Sequence, residues 1–330
     1  MTGSSEPGEA LAAPSTRIPD FFVVGHPKCG TTALYAMLRS HPQIFMPELK
    51  ESWFFVPELR GREPPGRASR RPGTWEEYTS LFTAATPDQR IGEATPSYLR
   101  SRLAAERIAR AQPAARIVAV FREPASFLRS FHLQCLESHT ETEKDLRKAL
   151  SLEDRRRAGE CIPADSAQPE ALLYTDHVRY LEQLLRYHAV FPHEQVLVLI
   201  YDDFRRDNEA TIRRVLRFLE VDETLSMPVV EANQSVRLRS HRIERIVNQL
   251  DQGSGPAART LRGAVKSLTP RGLRRQAFRA AQRRIVYGDP GIPDEALMLE
   301  LRRRFKPEVV ALGEYIDRDL VTLWGYDRID

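Results

Sequence analysis

Short unbroken apolar runs punctuate this chain at Phe21-Phe22-Val23-Val24, at Arg116-Ile-Val-Ala-Val-Phe121 and at Gln195-Val-Leu-Val-Leu-Ile-Tyr201. A strand whose two faces are both covered reads this way, because successive side chains point to opposite faces and all must be apolar. Between the runs lie segments with helical spacing: Thr32 to Arg39, Trp75 to Phe82, Leu103 to Gln112, a helix opening after Pro124, Leu172 to Tyr187, and Asn208 to Leu219. A last helical stretch covers about Asp294 to Leu323. Arg90 to Pro96 reads as a strand end running into a turn. Strands alternating with helices predict an α/β fold of P-loop-like, three-layer form, with a central parallel sheet flanked by helices.

The polar stretches set the expected organisation. Residues 1–18 contain Gly, Ser, Pro and Glu without periodicity and read as a disordered tail, which leaves 19–330 as a single domain. Arg60 to Gly73 is an exposed loop, and 138–170, charged and weakly periodic, suits a lid or excursion. The tail lacks a basic start and an apolar core, so it makes a poor secretory signal. No run of about 18 apolar residues marks a membrane span. Cys29, Cys135 and Cys161, an odd number at scattered spacing, suggest reduced thiols and a cytoplasmic setting, and no pair has metal-ligand spacing. Abundant Arg, Ala and Pro fit a bacterial, GC-rich source.

Charge changes the picture in one place. The net charge is only +4, yet Arg237 to Arg284 carries thirteen Lys and Arg against two acidic residues, Glu244 and Asp251. That basic helical segment, 236–290, is open to four readings: a solvated face, an anionic cofactor, an anionic substrate, or peripheral contact with an anionic membrane. No nucleic-acid-binding module accompanies it.

The candidate chemistry begins at Gly25-His-Pro-Lys-Cys-Gly-Thr-Thr32. A glycine turn between a strand and a helix points backbone N–H groups, and the positive end of the helix dipole, at an anion. Lys28 adds charge, Gly30 permits close approach, Cys29 lies within the loop, and Thr31 and Thr32 bring hydroxyls. The lysine stands two places before Gly30, unlike the triphosphate loop in which it follows the glycine. The strand ending at Phe121 is followed by Arg122-Glu-Pro124 where a magnesium-dependent nucleotidase needs a carboxylate, so no metal is expected. Arg122 and Ser130 form a second candidate anion site at a strand's carboxyl end. The plainer alternatives are a glycine turn and an ordinary salt bridge. Two anion sites on adjacent strands suggest a ligand with phosphates at both ends.

These motifs resemble the sulfotransferase family. Pro27-Lys-Cys-Gly-Thr-Thr-Ala-Leu34 looks like its 5′-phosphosulfate loop, and Phe121-Arg-Glu-Pro with Ser130 looks like its 3′-phosphate site. Lys50-Glu-Ser-Trp-Phe-Phe55 and Glu93-Ala-Thr-Pro-Ser-Tyr98 resemble the branch that holds the heparan sulfate N- and 3-O-sulfotransferases and many bacterial enzymes. The resemblance implies that 3′-phosphoadenylyl sulfate is the co-substrate and 3′-phosphoadenosine 5′-phosphate the product. It implies that Lys28 stabilises the leaving phosphate and that Glu51 is the general base, with Glu93 the rival base. It also implies that Arg237, Arg239 and Ser240 close over the nucleotide. Ala94 and Trp53 depart from the heparan branch, which leaves the acceptor open among small molecules, glycosides and lipids, through a hydroxyl before an amine. The rival functions are a P-loop nucleotide phosphotransferase and a non-catalytic protein associated with anionic membranes. Oligomeric state is not legible.

Overall fold

The computed structural model describes residues 17–61, 71–164, 166, 168–225, 237–238, 287–288 and 292–329. The strands are β1 (Phe21–Gly25), β2 (Ile44–Phe45), β3 (Arg90–Ala94), β4 (Arg116–Phe121), β5 (Val196–Ile200), β6 (Arg237–Leu238) and β7 (Tyr287–Gly288). The described helices are α1 (Thr31–Arg39), α2 (Trp75–Ser80), α3 (Ala104–Ala111), α4 (Pro124–Glu137), α5 (Leu146–Ser151), α6 (Glu153–Arg157), α7 (Tyr180–His188), α8 (Tyr201–Arg206), α9 (Asn208–Phe218), α10 (Glu295–Tyr315) and α11 (Leu320–Leu323). The chain divides into two compact units, one of residues 1–60, 65–121 and 182–231, the other of 61–64, 122–181 and 232–330.

The first unit is built on a five-stranded sheet in the order β2-β3-β1-β4-β5, with every pairing parallel. This is the predicted α/β architecture. Phe21, Phe22, Val23 and Val24 are all buried, as are Ile117 to Phe121, so both faces of the central strands are covered. The register aligns the carboxyl ends, with Gly25 beside Val120, Val23 beside Ala94 and Phe121 beside Ile200. From β1 the chain goes to β2 and β3 at one edge and then crosses to β4 and β5 at the other. The order therefore reverses at β1 and β4, the place where an open α/β sheet leaves a crevice for ligands. At Gly92 a Cβ would lie 2.2 Å from the Phe21 ring and 2.4 Å from the Met46 sulfur. Glycine there lets β1 and β3 pair around a bulky aromatic.

In the second unit α4 is the buried element. Phe127 and Phe131 stack on it with centroids 5.5 Å apart, and Phe131 meets the His177 ring at 4.4 Å. The segment 138–170 holds two short helices, α5 and α6, and a buried ion pair: the Arg156 guanidinium donates to Glu141 at 2.9 Å, and the Tyr174 hydroxyl donates to the same carboxylate at 3.0 Å. These contacts also explain a departure from the expected helix over Leu172 to Tyr187. A 3-10 turn, Pro169–Leu172, leads into it, its first half holds a second 3-10 turn, Tyr174–Val178, and only Tyr180–His188 is α-helical. Thr175 donates its backbone N–H and its hydroxyl to the Glu153 carboxylate at 2.8 and 2.6 Å, so tertiary hydrogen bonds hold that stretch off the helical path. The terminal helix is likewise divided, because Asp317 takes a left-handed φ of 52° and Asp319 caps α11 through the Thr322 N–H. Tail residues 1–16 and most of the basic segment lie outside the described residues. Among the described residues no helix is long and apolar enough to cross a membrane.

Candidate functional site

In the first unit the loop from His26 to Gly30 joins β1 to α1. Gly30 is the residue before the helix, with φ 78°, and no side chain caps the first turn. The leading N–H groups of α1 are therefore left for a ligand or solvent. A Cβ at Gly30 would press to 3.1 Å against the Phe204 and Tyr201 rings, so both conformation and space require glycine. Lys28, half-buried, also takes a left-handed backbone, φ 66°. A lysine held there costs about 1 kcal/mol or more, a strain characteristic of sites where direction matters. Cys29 and Thr31 are buried, while Thr32 reaches the surface.

His26 anchors the loop from below. It is fully buried, and its Nε2–H donates to the Gln183 carboxamide oxygen at 2.7 Å. Burial lowers its pKa to about 3. The folded state thus holds the neutral ring while the unfolded chain protonates near the ordinary value of 6.5. Stability is fully present above pH 6.5 and falls as pH drops toward 3, with a slope approaching 1.4 kcal/mol per pH unit for one proton. Replacing His26 by Gln is expected to flatten that slope in urea melts run between pH 4 and 7.

Glu51 stands where the chain meets β3. Its N–H donates to the Ala94 carbonyl at 3.0 Å and its φ is 66°. Lys50 joins it to the loop, because the Lys50 ammonium donates at 3.1 Å both to Thr32 Oγ1 and to Glu51 Oε1. The Lys50 side chain is only 17% exposed and that of Glu51 41%, so the carboxylate faces solvent from a covered cationic anchor. The structure thereby brings together Thr32 and Glu51, which lie nineteen positions apart in the sequence.

Glu93 has the opposite environment. It is fully buried and accepts four hydroxyl hydrogen bonds: Ser52 at 2.6 Å, Thr95 at 2.7 Å and Tyr98 at 2.8 Å on Oε1, and Tyr78 at 2.6 Å on Oε2. Burial pushes its carboxyl pKa up, against the pull of those donors. It fastens Ser52, the neighbour of Glu51, to the end of β3. Tyr78 and Phe82 are buried around it, whereas Trp75 keeps 38% of its surface exposed. Trp53, φ 57°, is buried under the Arg71 guanidinium, 4.7 Å from the ring centroid, and among the described residues its indole N–H has no acceptor.

In the second unit Arg122 directly follows β4, half-buried, and Ser130 is buried on α4. Glu123 itself caps α4, accepting from Ala125 N at 3.0 Å and Ser126 N at 2.6 Å, and it also accepts the Tyr326 hydroxyl at 2.7 Å. The start of α4 is thus filled by a carboxylate of the chain itself. Arg129, which sequence reasoning passed over, lies close enough to Arg122 that the like charge, after burial, lowers its pKa. Its adjacency to Ser130 was the available signal. His132 is a packed helix histidine, with its Nε2–H donating to the Glu143 carbonyl at 2.8 Å. The backbone of Arg237 forms an antiparallel pair with Gly288, whereas Arg239 and Ser240 lie outside the described residues.

Comparison with known proteins gives a concordant result. The family model described as "Sulfotransferase family" matches residues 19–224, more than half of the chain. Carbohydrate sulfotransferase 15 of Mus musculus is 25% identical over 77% of this chain and 49% of its own length. Heparan sulfate glucosamine 3-O-sulfotransferase 3B1 of Mus musculus is 28% identical over 63% of this chain and 47% of its own length. The chain thus spans about half the length of these curated relatives. The crystal structure of a sulfotransferase from Alicyclobacillus acidocaldarius superposes with a TM-score of 0.63 at 24% identity, covering 93% of this chain and 99% of that one, and so shares the fold.

Proposed function

The chain belongs to the sulfotransferase family, and from that premise we propose that it transfers a sulfuryl group from 3′-phosphoadenylyl sulfate to a hydroxyl of a carbohydrate or small-molecule acceptor. The observation that carries this reading is the open first turn of α1 beside Lys28, with the partly exposed Glu51 carboxylate tied through Lys50 to Thr32 of that same turn. Glu51 takes the proton of the acceptor hydroxyl as its oxygen bonds to sulfur. The bond from sulfur to the bridging oxygen breaks, and the electron pair stays on the departing 5′-phosphate. Lys28 and the leading N–H groups of α1 stabilise that growing charge, an electrostatic role worth several kcal/mol in a preorganised site. Arg122 and Ser130 are assigned to the 3′-phosphate, and the names of the relatives support a carbohydrate acceptor. In this reading Glu93 is structural.

Calorimetric titration with 3′-phosphoadenosine 5′-phosphate tests the reading, together with sulfuryl transfer to desulfated heparan sulfate and simple glycosides. Saturable binding that EDTA leaves unchanged is expected, and absence of binding would overturn the assignment. Arg122→Ala is expected to weaken this nucleotide by about 10- to 100-fold, as loss of a charge-assisted contact does. It should leave adenosine 5′-phosphate, which lacks the 3′-phosphate, almost unaffected. Equal loss for the two nucleotides would remove Arg122 from the 3′-phosphate site.

A further inference from the structure

Lys50 occupies a position that the reaction as proposed does not use. Its ammonium has three N–H groups, and two are engaged: one on the Thr32 hydroxyl in the first turn of α1, the other on the Glu51 carboxylate, both at 3.1 Å. Charge-assisted contacts of this kind close to about 2.7–2.9 Å when the pair is fully formed. The ammonium therefore bridges loop and base. Its stem is covered, with 17% of the side chain exposed, so the head group has little freedom to leave for solvent. The facing residue on β3, Ala94, brings no charge, and its carbonyl fixes the Glu51 backbone. A cation so confined has two directions available, toward the carboxylate or toward whatever anion sits on Thr32 and the open turn of α1.

We propose that Lys50 is a positioning residue that couples donor binding to base release, holding the Glu51 carboxylate while the loop is empty and turning to the sulfuryl oxygens when the donor occupies it. The inference rests on the donor reading given above and adds a regulatory contact within the same site. With the donor absent, the ammonium competes with any acceptor proton for the carboxylate, and the base is occupied. Once anionic sulfuryl oxygens lie beside Thr32, they and Glu51 compete for one ammonium, and the carboxylate faces the acceptor free of it. The carboxylate is then released from the ammonium when there is something to transfer.

The competition has a signature that needs no acceptor. 3′-Phosphoadenylyl sulfate and 3′-phosphoadenosine 5′-phosphate differ by the sulfuryl group, so their affinity ratio isolates the contact. In calorimetry on the full chain without acceptor, Lys50→Met is expected to weaken the sulfated nucleotide about tenfold and to leave the product nucleotide unchanged. Lys50→Arg should restore most of the difference. Glu51→Gln, which removes the competitor, is expected to tighten the sulfated nucleotide severalfold, again without effect on the product. If Lys50→Met proves unfolded by circular dichroism, Glu51→Gln carries the test alone. An unchanged affinity ratio in Glu51→Gln, or equal weakening of both nucleotides in a folded Lys50→Met, overturns the coupling while leaving the donor assignment standing. Failure of the wild-type chain to bind either nucleotide would instead remove the donor reading itself.

Discussion

Replacing Lys28 by glycine is expected to lower turnover by about 10²- to 10³-fold and at the same time to make the protein more stable. In the proposed mechanism the first effect follows from removing the cation assigned to the departing phosphate, since loss of one such preorganised group costs about 2.7–4 kcal/mol of transition-state stabilisation. The second follows from the backbone. Lys28 is held at φ 66°, where a side chain with a Cβ is strained and glycine is not. Relief of that strain should raise the unfolding free energy by about 1 kcal/mol, visible as a shift of the urea midpoint. Lys28→Ala should lose the same turnover without the gain, because alanine keeps the Cβ. A lysine present merely for solubility would give normal turnover in either variant, so transfer rate and urea midpoint measured on the same preparations decide the matter.

The second large effect separates two carboxylates that look alike in sequence. Glu51→Gln is expected to cost about 10²- to 10⁴-fold in turnover, the usual contribution of a general base, with the melting curve close to wild type. Its side chain is 41% exposed, and its ion pair with Lys50 is partly solvated, so little folding energy depends on it. Glu93→Ala should do its damage through the fold. Four hydroxyls, from Ser52, Tyr78, Thr95 and Tyr98, lose their common acceptor in a site closed to water. Each buried polar group left unsatisfied costs about 1–3 kcal/mol. A loss of several kcal/mol, enough to unfold many domains of this size, is the expected outcome in thermal melts. Glu93→Gln keeps one acceptor oxygen and should lie between. A stable, soluble Glu93→Ala protein lacking only turnover would reverse the two roles.

Tertiary contacts also explain why the site was only partly legible beforehand. The loop from Gly25 to Thr32 could be placed because its neighbours are local: an apolar run before it, a helical pattern after it, and glycines where a turn must close. Arg122 could be placed for the same reason, directly after the strongest apolar run. Glu51 was reached only through resemblance, since nothing in Leu49-Lys-Glu-Ser-Trp53 announces a left-handed backbone or a carbonyl partner at Ala94. The Glu93 cradle was invisible as well, because its four donors come from residues 52, 78, 95 and 98, and no local periodicity connects them. The 3-10 turn Tyr174–Val178 falls within the helix expected over Leu172 to Tyr187, and only Glu153 and Glu141 reveal the pull that unwinds it.

The sequence alone determined the parallel α/β class, the three long buried strands, the glycine turn with its lysine between β1 and α1, and the arginine that follows β4. Apolar runs and glycine turns act over a few residues, and hydrophobic burial reads them with little ambiguity. Only the tertiary structure decided which glutamate is buried and which faces solvent, and that Lys50 stands between Thr32 and Glu51. Those outcomes depend on the parallel pairing of β1 with β3, which sets Ala94, the backbone partner of Glu51, beside the strand that leads into the loop. Burial and hydrogen bonding then give each of these two carboxylates its surroundings, and those surroundings come from residues distant in the sequence.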